Sequence, residues 1–177
     1  VGYLLIGFSC STLSGVQGIL VYTMVYVVTS LLVWGILLCL SGQSGQKTQY
    51  ISELVGLGAT QPALAVTLSV CFLSMAGIPP MAGFIGKLII LNIVIDNNLF
   101  FLAVIAVLTS VIAAFYYIRL IKSIFFDDPV DDLDNISNDH SKYMLCGFAF
   151  FNLTVVFYPQ FFLNVCASIT LSLFAVK

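Results

Sequence analysis

Lys87 is the residue whose type and surroundings best suit chemistry. It is the only charged residue between Glu53 and Asp96, and apolar residues flank it on both sides. A lysine in a dehydrated site loses part of its preference for the charged form, which suits a group that takes up and releases a proton. Lys87 is therefore predicted to be a proton carrier. The alternative, a lysine that extends its side chain to water from a helix end, fits poorly with these flanks.

Two tyrosines are the next candidates. Tyr22 and Tyr26 are four residues apart and would share one face of a helix. Their hydroxyls could line a proton path. Packing is the commoner role for such a pair, and the sequence leaves both interpretations open.

No pattern in the sequence predicts a metal or cofactor site. The five cysteines stand singly in apolar stretches, without CxxC or Cys/His spacing, so we expect small buried hydrophobic residues. The aspartates from Asp127 to Asp139 lack the central glycine and terminal glutamate of an EF-hand loop, which indicates a solvated loop that includes His140. The cysteines are Cys10, Cys39, Cys71, Cys146 and Cys166.

The composition indicates an integral membrane protein. Of 177 residues, 60% are hydrophobic and 8% are charged, and the mean hydropathy is +1.10. A soluble domain needs roughly a quarter of its residues charged. The net charge of −2, without a basic stripe, also argues against nucleic-acid binding. We predict a single all-α integral membrane domain over residues 1–177.

Apolar segments divide the chain into membrane spans, each of which needs about 20 residues. The predicted segments are a partial span at 1–13, spans at 16–40, 62–95 and 99–121, and a final span at 143–157 followed by 160–176, which is either kinked or interfacial. The stretch 41–61 is predicted to be a polar loop. The span at 99–121 ends close to aromatic and cationic residues typical of a membrane interface, namely Tyr116, Tyr117, Arg119 and Lys122.

The apolar stretch from Pro62 to Asn97 has a length that fits neither one span nor two. As one straight helix its roughly 36 residues would extend about 54 Å, whereas the hydrocarbon core is about 30 Å thick. Two separate spans would each be too short. A single crossing with an interruption resolves the conflict.

The interruption is predicted within Met75-Ala-Gly-Ile-Pro-Pro-Met-Ala-Gly83. Pro79 and Pro80 cannot donate backbone hydrogen bonds, and Gly77 and Gly83 readily adopt irregular backbone conformations. We therefore predict one discontinuous transmembrane helix. Its half-helices would be Pro62–Ala76 and Ala82–Ile95, with the break near 77–82.

Such a break would place opposite helix ends beside Lys87. The carbonyl end of the first half-helix would favour the ammonium, and the N-terminal dipole of the second would oppose it. Gly83 and Gly86 would leave space for water or a packed neighbour. Because a broken helix is tolerated at membrane depth only inside protein or beside a wet cavity, this element is expected inside a helical bundle.

The run from Leu73 to Lys87 resembles the broken-helix signature of the antiporter-like membrane subunits of respiratory complex I. The Ala-Gly-Ile-Pro-Pro…Gly-Lys motif within it is specific to that superfamily. Residues 1–9, 109–112 and 115–127 are similar to the subunit 2 branch of the family in its plant mitochondrial form. The resemblance extends along nearly the whole chain and weakens after Asp128.

The resemblance implies an antiporter-like helical bundle of which this chain supplies the C-terminal part. Lys87 would be the proton-carrying lysine of the C-terminal half-channel. The implied role is that of a proton-translocating membrane-arm subunit, which couples NADH:ubiquinone oxidoreduction to proton pumping across the mitochondrial inner membrane. A separate chain, from a split gene, would carry the N-terminal half of the subunit.

The resemblance also implies partners and cofactors. Other membrane-arm subunits of complex I and lipids, cardiolipin among them, would surround the chain. NADH, FMN, iron–sulfur clusters and ubiquinone would bind to partner subunits, with no cofactor on this chain.

Two alternatives remain. A cation/proton antiporter subunit of the same superfamily shares the lysine after the helix break, but it should purify without flavin or iron–sulfur subunits. A purely structural membrane-arm fragment should tolerate neutralisation of Lys87 without any loss of pumping.

Overall fold

The computed structural model describes residues 1–40, 51–127, 147 and 158–175. No strand occurs in these ranges, in agreement with the predicted all-α class. The elements in chain order are α1 (Gly2–Ser9), α2 (Leu13–Cys39), a 3-10 turn (Ile51–Leu54), α3 (Leu57–Thr60), α4 (Pro62–Ala76), α5 (Ala82–Asp96), α6 (Phe100–Phe126) and α7 (Pro159–Ala175). Outside the described residues lie the Asp-rich loop from residue 128 onward, His140, Cys146, the side chain of Cys39 and nearly all of the predicted span 143–157.

α1 and α2 pack closely because glycines face each other between them. The chain turns after α1, and Thr12 then caps α2 by accepting a hydrogen bond on its Oγ1 from the Gly15 N–H at 3.1 Å. A Cβ at Gly15 would lie 2.8 Å from the carbonyl oxygen of Gly7. The close approach brings Tyr3 of α1 into contact with Tyr22 of α2.

The break between α4 and α5 begins with a left-handed glycine. Gly77 has φ 79° and ψ 40°, and the N–H groups of Gly77 and Ile78 donate to the carbonyls of Ser74 and Leu73 at 3.1 and 3.2 Å. This is a Schellman ending, for which glycine is the preferred residue. The discontinuous helix of the predicted fold class is therefore confirmed, and its break falls where the sequence places it.

Ser74 and Gly83 join the two half-helices directly. The Gly83 N–H, one of the first amides of α5 without an intrahelical partner, donates to Ser74 Oγ at 3.1 Å. A Cβ on Gly83 would collide with the backbone carbonyl oxygen of Ser74. A residue larger than glycine would therefore force α4 and α5 apart.

The buried core has two apolar clusters, one built on α4 and the other on α5. The larger cluster joins α4 to the second half of α2 and the end of α6, and it buries Leu64, Leu68 and Cys71 completely. The smaller cluster joins α5 to the end of α1 and the start of α6 around Ile90 and Val94. Most of α4 is buried, whereas Pro79 and Pro80 in the break that follows it are exposed in the described part of the chain.

α6 is longer than predicted, since it continues to Phe126 instead of ending near residue 121. Its last turns pack against the segment 51–60, where the Gly56 N–H donates to the Ser123 carbonyl at 3.3 Å. That segment was predicted to be part of a polar loop. It forms helical turns instead, because Leu54 and Leu57 are buried in the larger cluster.

Two of the described helices are long and apolar enough to cross a membrane unbroken, at Leu13–Leu38 and Phe100–Phe126. α4 and α5 have 15 residues each, or about 22 Å at 1.5 Å per residue, so neither alone spans about 30 Å of hydrocarbon. Their joint single crossing stays a prediction. α7 packs against α2, where Gln17 Nε2 donates to the Leu163 carbonyl at 3.2 Å, and its spanning or interfacial placement also stays a prediction.

Substitution of Gly83 by alanine should destabilise the junction of α4 and α5. The added methyl meets a backbone carbonyl that cannot rotate away. We therefore expect the assembly to lose about 1–3 kcal/mol of stability or more, the usual cost of overpacking. The measurement is the thermal midpoint of the purified assembly, together with its yield on native gels.

Gly86→Ala is the matched control, because its methyl would lie 3.4 Å from Tyr22, an ordinary contact distance. We expect this variant to assemble and melt like the wild-type protein. Equal midpoints for the two alanine variants would contradict the close Ser74–Gly83 contact.

Candidate functional site

Lys87 lies on the second turn of α5, and its side chain folds back to the end of α4. Its Nζ donates hydrogen bonds to the carbonyl oxygens of Ala76 at 2.7 Å and Met75 at 3.1 Å. The lysine thereby bridges the helix break. The predicted neighbourhood of the ammonium and the carbonyl end of the first half-helix is present in the structure.

The two prolines explain why these carbonyls are available. In a continuous helix, the carbonyls of Met75 and Ala76 would accept from the N–H groups four residues later. Those positions are Pro79 and Pro80, and proline has no N–H. Lys87 supplies the missing donors, so the proline pair and the lysine form one arrangement.

Gly77 leaves room for the lysine side chain to reach the carbonyls. A Cβ at this position would lie 2.7 Å from Lys87 Cδ and 2.9 Å from Nζ. The left-handed backbone of Gly77 also disfavours any residue with a side chain. One glycine therefore serves both the helix ending and the path of the lysine.

Three tyrosine rings form a row beside the ammonium. The Tyr3 ring centroid lies 5.6 Å from Lys87 Nζ, within the range of a cation–π contact. Tyr3 stacks on Tyr22 with centroids 5.6 Å apart, and Tyr22 stacks on Tyr26 at 6.2 Å. Tyr22 packs against Gly86 of α5. Tyr22 and Tyr26, predicted from the sequence, thus share one face of α2 near the lysine.

Sequence reasoning missed Tyr3 and Ser110. The Tyr3 hydroxyl donates to the Ala106 carbonyl at 2.9 Å and shares a hydrogen bond of 2.8 Å with the Ser110 hydroxyl. Tyr3 lies on α1 and Ser110 on α6, whereas Lys87 lies on α5. No helical spacing links them to the lysine, so the local sequence pattern carries no signal that could have identified them.

Lys87 lines two cavities of different character. The smaller has a volume of about 20 Å³, enough for one water molecule. Its hydroxyl-bearing lining residues are Tyr22, Tyr26, Thr29 and Ser74. The larger, of about 310 Å³, extends to α6 and is lined by apolar side chains apart from Lys87, Tyr3 and Ser110. The side of the lysine that faces α2 therefore offers more hydroxyl-bearing residues to a water molecule than the side that faces α6.

Within the described residues, the dipoles of backbone carbonyls hold the Lys87 ammonium. Both of its hydrogen bonds go to backbone carbonyls, and no carboxylate forms a salt bridge with it in the described ranges. Asp96, the next acidic residue along α5, lies at the far end of that helix and is exposed. The ammonium is therefore stabilised by a helix end and an aromatic ring.

The described residues hold no group of three or more His, Cys, Asp or Glu side chains that could bind a metal ion. Cys10, Cys71 and Cys166 are free and buried, as expected for small apolar residues. Cys71 belongs to the larger apolar cluster and Cys10 to the smaller.

All the site residues predicted from the sequence lie in this one region. Their part in proton transfer stays a prediction. They are Lys87, Gly77, Pro79, Pro80, Gly83, Gly86, Tyr22 and Tyr26.

Residues 1–113 match the family model described as NADH:quinone oxidoreductase/Mrp antiporter, transmembrane. The NADH-quinone oxidoreductase subunit N of Rhodospirillum rubrum is 42% identical over 149 residues, which cover 84% of this chain and 30% of the relative. The NADH-ubiquinone oxidoreductase chain 2 of Arabidopsis thaliana is 38% identical over 175 residues, which cover 98% of this chain and 34% of the relative. The chain spans about a third of the length of these relatives.

Two solved structures share the fold. A respiratory complex I structure from Thermus thermophilus with bound NADH matches with a TM-score of 0.75 and 21% identity, over 97% of this chain and 36% of the matched chain. The Mrp complex from Dietzia sp. DQ12-45-1b matches with a TM-score of 0.79 and 17% identity, over 96% of this chain and 40% of the matched chain. Fold, helix break and sequence similarity agree: the chain belongs to the NADH:quinone oxidoreductase/Mrp antiporter family of transmembrane proteins.

Proposed function

We propose that this chain is part of a proton-translocating membrane-arm subunit of a respiratory NADH:quinone oxidoreductase, and that Lys87 carries the transferred proton. The placement of Lys87 Nζ is the main support. Two carbonyls freed by the helix break hold it, and it borders a small cavity whose lining includes four hydroxyl-bearing residues. Similarity to the subunit N and chain 2 relatives supports the choice of complex.

Backbone carbonyls suit a site that must release its proton. They accept hydrogen bonds from the ammonium but are not proton acceptors at ordinary pH, whereas a carboxylate would add a full opposing charge. A cation at a helix C-terminus gains about 0.3–2 kcal/mol, depending on burial. Movement of the α4 carbonyls away from Lys87 removes that gain and favours release of the proton. A small displacement at the break therefore acts as a switch.

The proton leaves Lys87 on the side of α2. The small cavity there has room for one water molecule between the lysine and the hydroxyls of Tyr22, Tyr26 and Thr29. A water molecule in this place would connect the ammonium to those hydroxyls by hydrogen bonds. This gives Tyr22 and Tyr26 a part in the proton path in addition to their stacking.

The rest of the subunit and other membrane-arm subunits of complex I cover the exposed apolar surface. Leu5 and Phe8 on α1 are 63% and 61% exposed, which supports contact with further spans of the family fold. NADH, FMN, iron–sulfur clusters and ubiquinone bind to partner subunits, and this chain holds no cofactor.

The setting is the mitochondrial inner membrane, as the similarity to plant chain 2 relatives suggests. Arg119 and Lys122 are exposed near the end of α6, next to the exposed ring of Tyr116. Cations and aromatic rings in this arrangement favour anionic lipid headgroups at the membrane interface. Cardiolipin is a lipid of that kind.

A cation/proton antiporter subunit is the second candidate function. The fold match to the Mrp complex is as good as the match to complex I, and the family model covers both groups. A broken-helix lysine serves proton exchange in either setting. The composition of the native assembly separates the two.

Replacement of Lys87 by methionine should leave assembly intact and impair pumping. Methionine keeps the length of the side chain and removes its charge, so proton transfer through this site should slow by about 10²-fold or more. The measurement is proton translocation per NADH oxidised in sealed vesicles that contain the assembled complex. Lys87→Arg should also impair pumping, because arginine does not release its proton.

Asp96→Asn provides the control, since it removes an exposed charge at the far end of α5. It should pump at the wild-type stoichiometry. If Lys87→Met assembles and also pumps at that stoichiometry, Lys87 is a structural residue.

Native electrophoresis of solubilised membranes, with mass spectrometry of each band, tests the choice of complex. We expect the chain to migrate with flavin and iron–sulfur subunits and with the polypeptide that carries the remaining spans. Migration in an assembly without redox subunits would instead identify an antiporter.

A further inference from the structure

The Lys87 ammonium has one donor that the helix break does not use. It carries three N–H groups, and two of them donate to the carbonyls of Met75 and Ala76. On the side of the larger cavity, the lining consists of apolar side chains apart from those of Lys87, Tyr3 and Ser110. The electron-rich face of the Tyr3 ring, 5.6 Å from Nζ, is what that side offers to a cation.

The Tyr3 ring is itself fixed by contacts to two other helices. Its hydroxyl bonds to the Ala106 carbonyl and the Ser110 hydroxyl on α6. Its ring stacks on Tyr22 of α2 at an interplanar angle of 25°. Because the hydroxyl is engaged by α6, the ring face is the part of Tyr3 that the ammonium meets.

We infer that Tyr3 is a positioning residue for Lys87: its ring face holds the ammonium at the helix break, and the bond to Ser110 fixes that ring from α6. The inference rests on the proposed function and adds a third partner to the proton carrier. It also adds α1 and α6 to the helices that determine where the proton is held. A proton relay through the Tyr3 hydroxyl is the competing role.

Two substitutions at Tyr3 separate the ring from the hydroxyl. Tyr3→Leu removes both, whereas Tyr3→Phe keeps the ring and removes only the hydroxyl. In sealed vesicles that contain the assembled complex, Tyr3→Leu should lower proton translocation per NADH oxidised by a factor of about 2 or more, the scale of a cation–π contact. Tyr3→Phe should retain most of the wild-type translocation, because it keeps the ring.

Phe101→Leu is the matched control, because Phe101 is an aromatic residue on α6, the helix that binds the Tyr3 hydroxyl, and its side chain is 77% exposed. It should leave translocation unchanged. An equal loss in Tyr3→Phe and Tyr3→Leu would overturn the inference in favour of the hydroxyl relay. Wild-type translocation in Tyr3→Leu would overturn the inference and exclude the relay as well.

Ser110→Ala keeps the test decisive if Tyr3→Leu fails to assemble. Ser110→Ala should lower translocation by no more than Tyr3→Phe does. The double variant should show the same translocation as Tyr3→Phe alone, because both substitutions act on the same ring. Additive losses would show that Ser110 acts independently of Tyr3 and would overturn the inference.

Lys87→Met, measured in the same vesicles, distinguishes the two levels of failure. Impaired pumping in Lys87→Met with no effect at Tyr3 or Ser110 overturns the positioning role and leaves the proposed function standing. Native pumping in Lys87→Met overturns the proposed function, and the positioning role with it.

Discussion

The two hydrogen bonds from Lys87 to the end of α4 are the interaction on which the rest of the structure depends. Without them, the carbonyls of Met75 and Ala76 would be left unpaired by the prolines, at a cost of several kcal/mol each in an apolar medium. The lysine alone would be equally unfavourable at membrane depth. The unpaired carbonyls and the ammonium satisfy each other's hydrogen-bonding requirement. The bundle can therefore contain both a broken helix and a charged side chain although it is otherwise apolar.

The parts that the sequence could predict are those governed by neighbours along the chain. The helix break follows from Pro79, Pro80 and Gly77, whose backbone restrictions act within a few residues. The length of α6 and the helical turns at 51–60 could not be predicted, because they depend on the packing of Leu54 and Leu57 against distant helices. The approach of Tyr3 to the lysine likewise depends on how α1 folds onto α2 and α6.

The surroundings of the lysine are asymmetric. Hydroxyl-bearing residues of α2 and α4 line one side, and the other side is lined largely by apolar residues of α5 and α6. A proton that leaves an ammonium needs a hydrogen-bonded partner, and an apolar cavity offers little to solvate it. The hydroxyls on the side of α6, those of Tyr3 and Ser110, bond to each other and to the Ala106 carbonyl. Under the proposed function, the side of α2 therefore offers more hydrogen-bonding groups to a transferred proton.

The division of the core into two apolar clusters has a mechanical consequence. One cluster surrounds α4 and the other surrounds α5, while α2 and α6 continue past both. A shift of α5 against the end of α4, with the Ser74–Gly83 contact as its pivot, would move the two half-helices relative to each other. It would directly alter the distances from Nζ to the carbonyls, now 2.7 and 3.1 Å. The hydrogen bonds of Lys87 therefore respond to any such displacement between the two clusters.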